Sequence, residues 1–470
     1  MYSVIFTVFH LANKIDLCYA FLVTINMKGV FKMYQTVTAE EMALGRSALM
    51  GGNVGGNLGL LITNMDGCTM YDSEGNGYID CTSQAWSMNL GFKNAKIAAA
   101  VQEQMERFSH CRTTFDTAPK LLLAKRLVEM APGNLNKVNF CLHGGDAIEG
   151  AMKLALRNKP GATKFISLYD GYHGRSFGAM SMCWPHPNNG FLNYMNSAVR
   201  VPQAYCYRCP FNREYGSCGI ECANFIDKAV GKAVDGAPAA LIMEPIQGNG
   251  GMIEFPIEFY KAIREICDRH EMLLIWDEIQ TGFGRPGTYF SSERYGVVPD
   301  VLVFGKALGG GYPIAGFISR GDLKPLSPGD HSFTFAHFPI SMAAACATLD
   351  VMEEIDVCRL FREKGAYATE KLLEMQKKYE IMGDVRGPGL MIGVELVKDR
   401  DSKEPYNKAE EYMVSEGLRR GLLLGGSKYS GLGNLIKMKP PAVITYEELD
   451  TVMAAFESLI ADCEANRGNW

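Results

Sequence analysis

The chain lacks any long run of lysine or arginine. Its 47 basic residues are set against 52 acidic ones, for a formal net charge of -5. This argues against the basic stripe by which proteins hold nucleic acid, and small molecules are the expected partners. A compact disulfide framework is also missing: fourteen cysteines are scattered over 470 residues. Such scatter favours a reducing compartment, so a cytoplasmic location is expected. Internal repeats and low-complexity linkers are absent as well. The first 32 residues are apolar, yet they have no basic start and no small-residue cleavage site, and His10, Lys14 and Asp16 interrupt the run. Neither a signal peptide nor a membrane span is read there. Met27 and Met33 offer later starts, and residues 1–32 are set apart as an ill-defined leader.

What is present is ordinary in bulk and particular in detail. Hydrophobic residues make up 47% of the chain and charged ones 21%, as in large soluble globular proteins. After a glycine-rich stretch, Gly51 to Leu60, the segment "MDGCTMYDSEGNGYIDCTS" reads as short strands joined by a Glu-Gly-Asn-Gly turn. From about Asn94, helical stretches alternate with the apolar runs "KVNFCL", "KFISLY", "AALIMEP", "MLLIWDE" and "VLVFGK". That alternation predicts an α/β architecture with a mostly parallel sheet covered by helices on both faces. Ligands of such sheets sit beyond the carboxyl ends of the strands. The C-terminal stretch reads as mainly helical with the strand "GLMIGVELV". A final helix is marked by a capping box, Thr445 and Glu448, and by an apolar face at Leu449, Val452, Met453, Phe456, Leu459 and Ile460. The expected organisation is an N-terminal segment, 33–93, that joins a C-terminal part, 351–470, in a smaller α+β domain, and a large domain over 94–350.

The polar residues that end the apolar runs carry the chemistry. Lys306 closes "VLVFGK", where removal from water penalises the ammonium and leaves a nucleophilic amine. Asp277 closes another run, 29 positions earlier, so adjacent strands would bring carboxylate and lysine to one ligand edge. Gly144 and Gly145 open the helix of "HGGDAIEGAMKLAL", where bare backbone N–H groups suit a phosphate. In "YDGYHGRSFG", Tyr172 and His173 follow a further strand, where an aromatic ring can cover a planar ligand. Each feature alone has a bland explanation: a solvent-reaching lysine, a turn-capping aspartate, a tight glycine turn, a packed aromatic. Together they are the parts of a pyridoxal phosphate site: a lysine for the aldehyde, a carboxylate for the pyridine nitrogen, a stacking ring and a phosphate cradle.

With "GGDAIEGAMKLA", "YDGYHGRSFGAMS", "LIMEPIQGNGG", "LLIWDEIQTGFGRPG", "VPDVLVFGKALGGGYPIAG" and "GDVRGPGLMIGVELV" in this order, the chain resembles the class III, ornithine/4-aminobutyrate-type aminotransferases of fold type I. The resemblance implies a seven-stranded-type sheet in the large domain and pyridoxal 5'-phosphate as cofactor. It implies that Lys306 forms the Schiff base, Asp277 partners the pyridine nitrogen, Tyr172 stacks on the ring and Gln280 contacts its phenolic oxygen. Gly144 and Gly145 would hold the phosphate, and Thr334 would reach it from the other subunit of a homodimer with shared sites. His173 and Glu244 would line the same pocket. Transfer of an amino group from an amine or amino acid to a 2-oxo acid is the implied reaction, and racemases, decarboxylases and phospho-lyases of the family are the alternative.

Several positions depart from that pattern. Gly145 stands where serine or threonine is common, and Asn249 where the 4-aminobutyrate enzymes carry glutamate. Lys437, in "GNLIKMKPPAVIT", stands where many members use an arginine for the substrate carboxylate, which exchanges a planar fork for a point charge. Trp86 and Lys437 are the expected substrate residues. Separately, Cys206, Cys209, Cys218 and Cys222 form a C-x2-C-x8-C-x3-C pattern. Four thiolates so spaced are candidates for a structural zinc site, and the alternative is a thiol-rich insertion that uses cysteine as a small apolar residue.

Overall fold

The computed structural model describes residues 37–50, 58–183, 197–233, 238–427 and 433–470. The leader and positions 51–57 of the glycine-rich stretch lie outside the described residues. Contacts divide the chain into two compact units. In the first, Thr38 caps the helix Ala39–Ala48: its hydroxyl accepts from the Glu41 amide at 3.1 Å, and the Glu41 carboxylate accepts from the Thr38 amide at 2.8 Å. The expected Glu-Gly-Asn-Gly turn is also there. Asp72 Oδ1 accepts from the amides of Glu74 and Asn76, both at 2.9 Å, and so closes the reversal.

The second unit is built on a seven-stranded sheet. Its strands in chain order are β1 (Leu135–Cys141), β2 (Phe165–Leu168), β3 (Ala198–Val201), β4 (Ala240–Met243), β5 (Leu273–Asp277), β6 (Val301–Phe304) and β7 (Ala315–Arg320). Across the sheet the order is β1-β7-β6-β5-β4-β2-β3. Pairing is parallel throughout except at β7, which runs antiparallel to both β1 and β6. Every residue of β2, β4, β5 and β6 is buried, which explains why they read as continuous apolar runs rather than as alternating ones. β3 and β7 escape that reading. β3 is an edge strand and carries Arg200, whose guanidinium donates to the carbonyls of Cys183 and Ser181, both at 2.8 Å. Helix α1 (Gly144–Asn158) follows β1 and buries Ile148, Ala151, Met152 and Ala155, as the sequence predicts.

A second sheet is antiparallel, with β8 (Met382–Arg386), β9 (Ile392–Leu396), β10 (Gly425–Ser427) and β11 (Leu435–Met438) in the order β8-β9-β11-β10. Helices α2 (Pro339–Glu354), α3 (Val357–Lys378), α4 (Asn407–Arg419) and α5 (Tyr446–Ala465) complete the C-terminal part. The predicted capping box of α5 is present: Thr445 Oγ1 accepts from the Glu448 amide at 3.1 Å, and Glu448 accepts from the Thr445 amide at 2.8 Å. All six residues of its predicted apolar face are buried. Thr445→Ala is expected to lower stability by about 1 kcal/mol, read from the urea midpoint at unchanged slope.

Candidate active site

The sheet delivers its polar residues to one place. β5 and β6 are neighbours, with Asp277 in register with Val303, so their carboxyl ends bring Asp277 and Lys306 to the same edge. β1 runs in the same direction and hands over to Gly144, while β2 and β4 lead to Tyr172 and Glu244. A cavity of about 230 Å³ opens there. Its walls include Gly144, Gly145, Tyr172, His173, Glu244, Asp277, Gln280 and Lys306, all of which the sequence singles out, together with Gly174, Arg175 and Ile279, which it does not. Arg175 follows Tyr172 by three positions in the same quoted motif, and its guanidinium lies 4.9 Å from the centre of the Tyr172 ring.

Lys306 starts a short 3-10 turn with φ +45°, directly after an extended Gly305. A left-handed backbone costs a side-chain-bearing residue about 1–2 kcal/mol. Burial lowers the pKa of its amine, and the negative charges of Asp277 and Glu244 oppose that shift without cancelling it. The neutral amine is therefore more abundant than on an exposed lysine.

Asp277 is 4% exposed. His173 Nδ1 meets its Oδ2 at 2.9 Å, and the Ile279 amide donates to its Oδ1 at 3.1 Å, which fixes the carboxylate from two sides. Glu244 accepts from the amides of Tyr172 and Gly248 at 2.9 and 3.0 Å. Burial pushes its pKa up to about 7, with His173 opposing and Asp277 adding to the rise. Gln280 Oε1 is buried with no hydrogen-bond partner among the described residues. A Cβ at Gly248 would lie 1.9 Å from that oxygen and 3.4 Å from the Trp86 ring, so this glycine leaves the space in which the two side chains approach.

Trp86 sits on an unusual piece of backbone. Ser83, Gln84, Ala85 and Trp86 all have positive φ, between 45° and 74°. Asp80 holds the turn: its carboxylate accepts from the amides of Thr82 and Gln84 at 2.7 and 3.1 Å. Two buried basic side chains flank the indole, Lys439 Nζ at 4.8 Å and the Arg285 guanidinium at 5.8 Å from the ring centre. Arg285 also donates to the carbonyls of Leu390 and Pro440, to Ser83 Oγ at 3.0 Å and to Asn89 Oδ1. It thus ties this turn to the segment that follows β11.

The two lysines of "IKMK" have different tasks. Lys439 lies past the end of β11 and donates to the Thr82 carbonyl at 2.8 Å. Lys437 is within β11, 8% exposed, and its Nζ lies 3.4 Å from Asn249 Oδ1. Burial lowers its pKa to about 8, against the pull of Glu244 and Glu410. Thr334 is exposed, between the exposed Phe333 and Phe335, and is not part of the cavity wall.

The zinc expectation is corrected. Among the described residues, no group of three or more His, Cys, Asp or Glu side chains is arranged to hold a metal ion. Cys206, Cys209, Cys218 and Cys222 are free thiols. Cys222 lies in the helix Glu221–Ala233 and packs on a hydrophobic cluster, and burial raises the pKa of its thiol. Of the four, Cys222 serves as a small apolar residue, whereas Cys206 is exposed.

Residues 51–460 match the family described as aminotransferase class-III. The chain belongs to that family. It is 38% identical to a leucine/methionine racemase of Thermococcus litoralis, over 85% of this chain and 90% of that protein. It is 34% identical to an adenosylmethionine-8-amino-7-oxononanoate aminotransferase of Geobacter sulfurreducens, over 85% and 92%. Among solved structures, an amine transaminase from an uncultivated Pseudomonas species in its PLP-bound form superposes with a TM-score of 0.80 at 31% identity, covering 86% of this chain and 95% of that one. The fold is that of the fold-type I transaminases.

Proposed function

We propose that this chain is a pyridoxal-phosphate-dependent aminotransferase that moves an amino group from an amine or amino acid to a 2-oxo acid. The observation that carries the proposal is the meeting of a desolvated Lys306 and a buried, doubly held Asp277 at the ends of adjacent parallel strands, in one cavity. The residues present fit the cofactor. Gln280, whose side-chain oxygen has no partner among the described residues, lines the cavity, and two glycines open α1 without side chains to block an anion.

In this reading the cofactor supplies an aldehyde for amine capture and an electron-withdrawing pyridinium ring. Lys306 would hold the aldehyde and, as a free amine, would move a proton at the substrate carbon. Asp277 would keep the ring nitrogen protonated. His173 positions Asp277, and Tyr172 would cover the ring. Gly144 and Gly145 offer backbone N–H groups to the phosphate. The assembly is a homodimer in which Thr334 reaches the phosphate bound by the other subunit; the exposed Phe333 and Phe335 beside it support an apolar contact surface there. The joining of the N-terminal segment, 33–93, to the C-terminal part, 351–470, is supported by the pairing of Leu422 and Leu423 with Ile79 and Asp80. The scattered free cysteines support a cytoplasmic site of action. No helix among the described residues is long and apolar enough to cross a membrane.

A panel of amines and amino acids, each with and without pyruvate or 2-oxoglutarate and read by mass spectrometry, tests the reaction. New amino acid formed only when donor and oxo acid are both present supports transamination. The racemase relative favours a second reading, in which the proton returns to the other face of the substrate carbon. Racemate formed from a single enantiomer without any oxo acid decides for it.

Lys437 and Trp86 are the proposed substrate residues. Lys437 donates to a neutral amide, Asn249, rather than to a carboxylate, and in this reading its charge serves an anionic substrate. Burial lowers its pKa and Glu244 and Glu410 raise it, so KM for anionic substrates is expected to climb as pH rises through about 8, while KM for uncharged amine donors moves less. Lys437→Ala should abolish that difference; equal effects on charged and neutral donors count against the role.

A further inference from the structure

Gly145 has no side chain to offer a hydroxyl at the start of α1. A Cβ built at Gly145 would lie 2.7 Å from Ser176 Oγ and 3.4 Å from Ser176 Cβ. A hydroxyl from another loop therefore stands in the space into which a side chain at position 145 would extend. The loop is pressed against the helix start, since a Cβ at Gly174 would come within 3.0 Å of the Gly145 Cα.

The ordinary use of a serine at this point is to cap the short helix Phe177–Ser181. Ser176 has the extended backbone of a cap, φ -70° and ψ 156°, but makes no capping bond. Glu149, from α1, has taken the donors: its Oε1 accepts from the amides of Gly178 at 2.8 Å and Ala179 at 3.4 Å. Ser176 Oγ is left buried, with no hydrogen-bond partner among the described residues. A buried hydroxyl without a partner costs roughly 1–3 kcal/mol unless a ligand accepts from it. An anion seated at the first turn of α1 would do so, because backbone N–H groups alone leave its oxygens room for a further donor.

We propose that Ser176 donates its hydroxyl to the phosphate of the cofactor and so replaces, from the neighbouring loop, the hydroxyl that Gly145 lacks. The proposal rests on the pyridoxal phosphate reading above. It adds a cofactor-binding residue that lies outside the phosphate loop itself, and it explains why the helix cap is ceded to Glu149.

The test is equilibrium binding to apoprotein, followed by absorbance. Wild type, Ser176→Ala and the double variant Gly145→Ser with Ser176→Gly are each titrated with pyridoxal phosphate and with pyridoxal, which has the same ring and aldehyde but no phosphate. Ser176→Ala should weaken pyridoxal phosphate binding roughly ten- to hundredfold, the range of a hydrogen bond to a charged acceptor, and leave pyridoxal unchanged. The double variant, with the hydroxyl returned to the helix and the crowding removed, should recover most of the affinity. Unchanged binding of pyridoxal phosphate by Ser176→Ala overturns the proposal, and so does equal weakening of both ligands, which marks a merely structural role. If Ser176→Ala does not fold, a double variant that folds and binds pyridoxal but not its phosphate overturns it. Wild-type protein that takes up neither ligand overturns the cofactor reading itself.

Discussion

Lys306→Ala is expected to lose turnover by at least about 10⁴-fold while the protein folds as before. On the proposed function, substitution removes two services at once, the nitrogen that holds the cofactor and the base that moves the substrate proton, and general-base catalysis alone is worth about 10²–10⁴-fold. Stability should not fall, because the side chain removed is one whose ammonium form burial disfavours. The left-handed backbone at this position remains strained with alanine, so that cost is common to both proteins. The cofactor should still bind through its phosphate and ring, without a covalent link. Borohydride treatment followed by mass spectrometry should find it attached to wild type and absent from the variant. Turnover within about tenfold of wild type would remove Lys306 from the mechanism.

The parts of this site that sequence reveals are those that end buried strands. β5 is apolar until its last residue and β6 throughout, so Asp277 and Lys306 stand out against a background that excludes charge. Parallel pairing then converts their separation along the chain into proximity. Trp86 is harder to place, because its position rests on a left-handed turn held by Asp80 and braced by Arg285, a residue far away along the chain. No local pattern encodes that brace. Ser176 is invisible for the same reason: its meaning depends on Gly145 lying beside it and on Glu149 having taken the helix cap. The cysteine pattern misleads in the opposite way. Spacing along the chain meets the requirement of a metal site, while the fold spends Cys222 on apolar packing. Sequence spacing predicts convergence well only where a regular element supplies the geometry.

Asp277→Asn isolates the charge from the shape. The amide keeps an oxygen to accept from the Ile279 amide, and its other terminus still faces His173 Nδ1, so the fold should change little. What is lost is one buried negative charge. At contact distance and an effective dielectric near 20, a charge pair is worth about 4 kcal/mol, which corresponds to roughly a thousandfold in rate. Turnover should fall by about that factor while the covalent link to Lys306 survives borohydride trapping. Two titrations should move with it. Asp277 raises the pKa of the Lys306 amine as an opposite charge and raises that of Glu244 as a like charge. Removing it should therefore shift both groups to lower pH, Lys306 further from its ordinary value and Glu244 back towards its own. In apoprotein, the pH dependence of cofactor attachment reports the first shift, since the neutral amine is the reactive form. The Asp277→Asn variant would then attach cofactor at lower pH than wild type, yet turn over far more slowly. A variant that lost rate with no acid shift in attachment would show that the carboxylate acts through packing rather than charge.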